Sequence, residues 1–339
     1  MQPTRMIAAD DVETLALGAA VLACGSGGDP QIGALLARLA IAQHGPVPLI
    51  AADALPDDAL VVPAGMLGDP AILSEKPPQG DELVQALHVL ERALNRPAAA
   101  VVCAGSFGLN LTLALSLAAA ARLPIIDGDG TGRAMPGLRA SGLALTGVSA
   151  TPMVLCDDKG NNLTIETVSD DWADRLARTA SAEMGGAAMM TLYPMTGAQT
   201  RTAVIRDTVS LSTRLGTAMR SDDAPAAALA RMLDGQILTT GRVLRLHPGQ
   251  VWIGAADGNN YEVRFSDVLS GVTQNGQPLA VAPQGIALID PVSARPVPVA
   301  GLMPDQRISV LAWPAAPVWS SAAGLAMART NGIAAPQRG

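Results

Sequence analysis

Three short apolar runs, Ala59 to Pro63, Ala99 to Cys103 and Pro124 to Ile126, each lead into a turn rich in small residues. Between them stand two stretches of helical pattern, Asp81 to Leu94 and Leu109 to Arg122. The order strand, helix, strand, helix, strand is what constrains this chain most. Parallel strands need a crossover long enough to hold a helix, and the helices must then cover the sheet. Upstream, Asp11 to Ala23 permits a helix on Leu15, Leu17, Val21 and Leu22, and a second helix is expected from Pro30 to Gln43. Asp29 suits its N-cap and Pro30 its first position, where a missing N–H has no partner to lose.

After Val148 the pattern changes. Strands are expected at Pro152 to Cys156 and Leu163 to Thr167, then a helix from Asp170 to Met184, a strand at Met189 to Tyr193, and helices at Thr208 to Met219 and Ala224 to Leu233. From Gly235 to Trp319 short strands are punctuated by Gly, Pro, Asn and Asp, with Ala256-Asp257-Gly258-Asn259 as a hairpin turn. The 339 residues exceed what one core usually needs. The expected architecture is an α/β N-terminal domain with a largely parallel sheet over residues 1–168, followed by a β-rich α+β C-terminal domain over 169–330.

Composition narrows the partners. A net charge of -7 without any run of Lys or Arg gives no footprint for phosphate backbones or anionic lipid, and 2% aromatic residues leave few platforms for bases. Nucleic acid and membrane are therefore not expected. Apolar stretches such as Leu109 to Ala121 are interrupted by Asn110, Thr112 and Ser116 and fall short of the roughly 20 residues a spanning helix needs. The start, Met1 to Arg5 followed by Asp10-Asp11, lacks the order of a secretory signal, so a cytoplasmic location is expected. Three cysteines without CxxC spacing, Cys24, Cys103 and Cys156, support neither a disulfide framework nor a zinc site, and His44, His88 and His247 have no ligand spacing. The cofactor is unknown from sequence, and a divalent metal has no strong motif.

Two loops carry the expected chemistry. The first is Cys24-Gly25-Ser26-Gly27-Gly28-Asp29-Pro30, where glycines let a ligand approach the backbone and the next helix offers free N–H groups. It follows a helix rather than a strand and lacks Lys, so both nucleotide-loop readings fail. Either it binds a carboxylate or neutral polar ring, or it simply joins two helices. Cys24, near a helix N-terminus, is a candidate nucleophile. The second loop is Asp127-Gly128-Asp129-Gly130-Thr131-Gly132-Arg133, after a parallel strand, where α/β proteins gather ligands. Asp127 and Asp129 could bind a cation, act as base or orient a ring, and Arg133 could hold a carboxylate. A calcium loop is excluded, since Leu138 stands where the bidentate Glu is required. The plain alternative is a turn in which Asp127 and Arg133 pair. Loops at the ends of the other strands, Gly65-Met66-Leu67-Gly68-Asp69-Pro70 and Gly105-Ser106-Phe107-Gly108-Leu109-Asn110, would share the same rim if all three strands are parallel, with Ser106 and Asn110 offering hydrogen bonds. The expected catalytic set is Asp127, Asp129 and Cys24. The expected binding set is Gly25, Ser26, Gly27, Gly28, Asp29, Gly65, Met66, Ser106, Asn110, Gly130 and Arg133.

The ordered motifs GSGGDP, GMLGDP with EKPPQGDE (Glu75 to Glu82) and DGDGTGRAMP (Asp127 to Pro136) resemble the S-methyl-thiohydantoin desulfurase-like family. Gly160-Asn161, Arg175 to Arg178 and Trp313 to Trp319 also fall in family order, and Gly132-Arg133-Ala134 with Pro136 is the most specific part. The resemblance implies a two-domain fold and an enzyme acting on hydantoin-like or thiohydantoin-like rings, in the characterised branch by removing a sulfur substituent. It implies a small cyclic amide-type ligand and an association with hydantoinase-type proteins; a homo-oligomer is expected as well. The chain departs from the pattern at Gly105 to Gly108, Ser266-Asp267-Val268 and Pro283-Gln284, where acidic residues are expected. Those departures keep a second reading open, a non-catalytic ligand-binding or partner subunit of a hydantoinase-type or oxoprolinase-type enzyme.

Overall fold

A computed structural model describes residues 2–26, 30–105, 108–135 and 137–330. Among them, ten strands form one sheet and seven the other. The first sheet begins with β1 (Arg5–Ile7), β2 (Val47–Ile50), β3 (Leu60–Gly68), β4 (Ala100–Cys103) and β5 (Ile125–Asp129). It continues with β6 (Met153–Cys156), β7 (Asn162–Ile165), β8 (Ala187–Thr191), β9 (Met195–Thr196) and β10 (Ile205–Arg206). Its main order is β1-β2-β5-β4-β3-β8-β6-β7. The four central strands are parallel, as the alternating pattern requires, and antiparallel strands flank them. β3, β4 and β5 therefore do end on one side.

The helices fall close to their expected places, at Val12–Leu22, Pro30–His44, Glu82–Leu94 and Leu109–Ala121. Leu109–Ala121 is buried on nearly every face, which explains why it has no polar stripe. Sequence reading misses β1 and β2, and it ends the third run too early. Asp127, Gly128 and Asp129, expected in the loop, are strand residues, because β10 pairs with them from far along the chain (Ile205 opposite Asp129, Arg206 opposite Gly128).

The second sheet is antiparallel, with β11 (Gln236–His247), β12 (Gln250–Ala255), β13 (Asn260–Phe265), β14 (Leu269–Gln274), β15 (Gln277–Val281), β16 (Gly285–Ile289) and β17 (Arg307–Trp313). Its order is β15-β14-β13-β12-β11-β17-β16, and it curls round its own core of Val243, Val251, Ile253, Val263, Val272 and Val310. The first sheet reaches past residue 168, since β8 inserts between β3 and β6. A mixed core joins the two units, packing Val21, Leu22 and Cys24 with Leu215, Leu229, Ile289, Leu311 and Trp313. Trp319, fully buried, donates its indole N–H to the Thr131 carbonyl at 2.8 Å, so the C-terminal segment is fastened to the first sheet's β5 loop.

Candidate functional site

A cleft of about 1220 Å³ opens where the ends of β3, β4 and β5 meet the hairpin tips of the second sheet. The first sheet supplies Met66 to Ala71, Ala104, Asn110 and Thr131, and β8 with its following residues adds Met190, Leu192 and Tyr193. The second unit supplies the turns at Leu246 to Pro248 and Phe265 to Val268, together with Pro298 to Ala300. Close approach of the β4 and β5 loops depends on Gly130, where a Cβ would lie 2.6 Å from the Ala104 carbonyl oxygen.

Four expected residues line the cleft: Gly25, Ser26, Met66 and Asn110. Asn110 is 4% exposed; its Oδ1 accepts the Met66 N–H at 2.9 Å, and its Nδ2 has no partner among the described residues. It offers the cleft a buried side-chain donor. Ser26 donates its hydroxyl to the Ala23 carbonyl at 2.8 Å. Gly27, Gly28, Asp29 and Ser106 lie outside the described residues.

The expected catalytic trio does not line the cleft among the described residues. Asp127 accepts the Ser210 N–H at 3.0 Å and the Ser210 hydroxyl, so it caps the helix Thr208–Ser221 from a neighbouring strand. Asp129 is fully buried; one oxygen accepts the Gly132 N–H at 2.6 Å and both the N–H and hydroxyl of Thr131, while Oδ2 has no partner among the described residues. Cys24 is fully buried in the mixed core, and its carbonyl accepts the Leu269 N–H at 2.9 Å. Nor does Arg133 pair with Asp127. It is 3% exposed and donates to three carbonyls, those of Ala134, Gln284 and Leu269, the last two belonging to the second unit. Gly65 and Gly130 serve backbone packing beside the cleft rather than lining it.

The glycine loop takes part in the join. A Cβ at Gly25, whose φ is +78°, would lie 2.8 Å from the Leu269 side chain, and its carbonyl accepts the Val299 N–H at 3.2 Å.

Sequence reasoning did not select Tyr193, Asp69, His247 or Asp267, all of which line the cleft. Tyr193 closed an expected strand with no pattern to mark it. In the fold it is 2% exposed with φ of +49°, and its hydroxyl donates to the Leu138 carbonyl at 3.0 Å and to Asp170 at 3.3 Å. Burial first, then the Asp170 charge, pushes this phenol well above the ordinary tyrosine range. A folded-state pKa above the unfolded value contributes stability that is intact below about pH 10 and is lost as pH rises further. We expect native Tyr193→Phe to show the same tyrosinate absorbance as the unsubstituted protein up to about pH 11. A lower absorbance in the variant would place Tyr193 in water. In the sequence Asp69 and Arg178 stand out only as members of motifs, and His247 only as a residue without metal-ligand spacing. Among the described residues no cluster of His, Cys, Asp or Glu could hold a metal ion, and no helix is long and apolar enough to cross a membrane.

Comparison with known proteins agrees with this architecture. A profile described as "S-Me-THD-like, N-terminal domain" matches residues 10–167, and one described as "S-Me-THD-like, C-terminal domain" matches residues 168–332. An X-ray crystal structure of a protein from Chromobacterium violaceum shares the fold, with a TM-score of 0.82 over 96% of each chain at 23% identity. No curated protein matches the chain.

Proposed function

The chain belongs to the S-Me-THD-like family, and we propose that its cleft takes a substituted hydantoin-like or thiohydantoin-like ring for desulfurase or hydrolase chemistry. The observation that carries this reading is the character of the cleft. It is walled mainly by apolar side chains such as Met66, Leu67, Leu109, Met190 and Leu192, with the Asn110 amide N–H inside and the exposed polar groups of Asp69, His247 and Asp267. Such a lining suits a flat neutral ring whose few polar atoms need matching. Pockets of roughly 300–1,000 Å³ hold drug-sized ligands, so a cleft of about 1220 Å³ leaves space for a ring substituent.

In the desulfurising version, water adds to the ring carbon bearing sulfur, the C–S bond breaks, the carbon becomes a carbonyl, and the sulfur leaves as a thiol. The balance requires one group to take a proton from water and one to return it to sulfur. Asp69, His247 and Asp267 are the titratable groups suited to this, because they line the cleft whereas Asp127 and Asp129 do not. The Asn110 amide N–H would hold a ring carbonyl. A second reading, a ligand-binding partner subunit, is favoured by the inward-facing engagement of the Asp127 carboxylate and by the exposure of Asp69, His247 and Asp267.

Thermal-shift titration with hydantoin, 2-thiohydantoin, an S-methyl-thiohydantoin and oxoproline tests binding. A ligand at about 100 times its Kd stabilises by about 2.7 kcal/mol, and Asn110→Asp, which keeps an acceptor for Met66 but removes the donor, should abolish the shift. Absence of a shift with every ring would overturn the proposal. Thiol release or ring opening then separates enzyme from binder.

A further inference from the structure

The outermost strand at one end of the first sheet is β7, and among the described residues it pairs only with β6. Asp157 donates its N–H to the Asn161 carbonyl at 3.0 Å, so by antiparallel alternation Leu163 and Ile165 exchange their hydrogen bonds with β6. Asn162 and Thr164 therefore turn their N–H and C=O groups away from the sheet, and both residues are exposed. Exposed edges are commonly blunted by Lys, Pro or a bulge. β7 reads Asn-Leu-Thr-Ile in an unshifted register and carries none of the three.

An apolar stripe runs beside this edge. Val168, Trp172 and Leu176 follow one another at four-residue spacing into the helix Asp170–Glu183, and they are 93%, 51% and 45% exposed. Leu163, 40% exposed, lies on the face of the sheet that this helix covers, because it shares its side of β7 with Ile165, which packs in one core with Ala173 and Ala177. None of the four lines the cleft. Arg178 of the same helix does, and at 3.6 residues per turn it points well away from Trp172 and Leu176.

We propose that two copies of this chain join through β7, antiparallel about a two-fold axis at Thr164, so that the first sheet continues from one copy into the other and the two apolar stripes are buried together. The edge is complementary to itself in that register. Thr164 falls opposite its own copy, Leu163 opposite Ile165, and Asn162 opposite Glu166, so an amide donor meets each carboxylate and no carboxylate faces another. This self-matching favours a second copy over a different protein. A stable interface takes about 800 Å² from each partner, more than a four-residue strand provides, and the helix stripe extends the contact.

Sedimentation equilibrium of the full chain tests this, alongside Trp172→Glu, Thr164→Pro and Val292→Glu. Both interface variants are expected to fold, since Trp172 is half exposed and the Thr164 N–H leaves the sheet, where proline is tolerated. The unsubstituted chain should be a dimer. Trp172→Glu, present on both copies, should raise its dissociation constant at least about a hundredfold, and Thr164→Pro should do the same through the backbone. Val292→Glu, at an exposed apolar residue of the second unit, should leave it unchanged. The Asn162 and Thr164 amides should exchange more slowly in the dimer than in Trp172→Glu. A chain that stays monomeric at every concentration would overturn the proposal and leave the face to a different protein, and a dimer that survives both interface variants would overturn the choice of face. Thermal shifts with ring compounds should be unaffected by any of the three variants, so failure here is separable from failure of the cleft reading.

Discussion

Replacing Gly18 or Gly216 with alanine should cost about 3 kcal/mol of stability, and with valine more. The two glycines face each other across the helices Val12–Leu22 and Thr208–Ser221, which touch backbone to backbone. A Cβ at Gly18 would stand 1.7 Å from the Ser212 carbonyl oxygen, and one at Gly216 would stand 1.8 Å from the Thr14 carbonyl oxygen. Neither obstacle is a side chain that can swing aside, so the helices themselves must separate. Overpacking an interior usually costs about 1–3 kcal/mol, and displacing two backbones should put even Gly18→Ala at the top of that range. Against a total stability of about 5–15 kcal/mol this is a large loss, and valine adds two more methyl groups to the same clash. Urea midpoints of Gly18→Ala and Gly216→Ala, beside Gly271→Ala as a control, check the prediction. The nearest atom to a Cβ at Gly271 is 3.7 Å away, so the control should stay within about 0.5 kcal/mol. Helix glycines that behaved like the control would show that the helices can part freely.

The second large effect is expected at Arg133. Sequence reading offered it as a carboxylate clamp, and it sits in the most family-like motif. The fold instead runs its side chain into the second unit, where it donates to the Leu269 carbonyl at 2.9 Å and to that of Gln284. Arg133→Met keeps much of the apolar stem but strands those carbonyls. Hydrogen bonds involving a charged group contribute about 1.5–3 kcal/mol each, so a loss of about 3 kcal/mol is expected, with little rescue by Lys because a point charge cannot reproduce the fork. The second sheet should then become protease-sensitive before the first. Equal stability of Arg133→Met and the unsubstituted protein would rule out the strut.

These two positions show where sequence reading stops. The glycines of Gly25 to Gly28 were conspicuous because they are clustered, while Gly18 lies alone inside an apolar helix and has no local signal. Its partner is about two hundred positions away, and only packing reveals the pair. Arg133 was legible as special, but not as a tie between sheets, because its partners Leu269 and Gln284 offer only main-chain carbonyls that every residue possesses. In the same way the acidic residues of DGDGTGR look catalytic in the sequence. β10 extends the strand through Asp129, and Ser210 draws the carboxylate of Asp127 to the end of a helix.

By itself the sequence determined the elements whose causes are local. Apolar runs gave β4 and the first parts of β3 and β5, helical spacing and end signals gave the helices between them, and their alternation required parallel strands with their ends on one side. Tertiary structure alone decided which residues of those ends face the cleft. A strand side chain changes face with each residue, and the partners that fill one face come from β8, β10, the helix Thr208–Ser221 and the hairpins of the second sheet, all distant in sequence. Hence Asn110 and Met66 reach the cleft, Asp127 and Arg133 hold the fold together, and Tyr193, invisible beforehand, closes the wall.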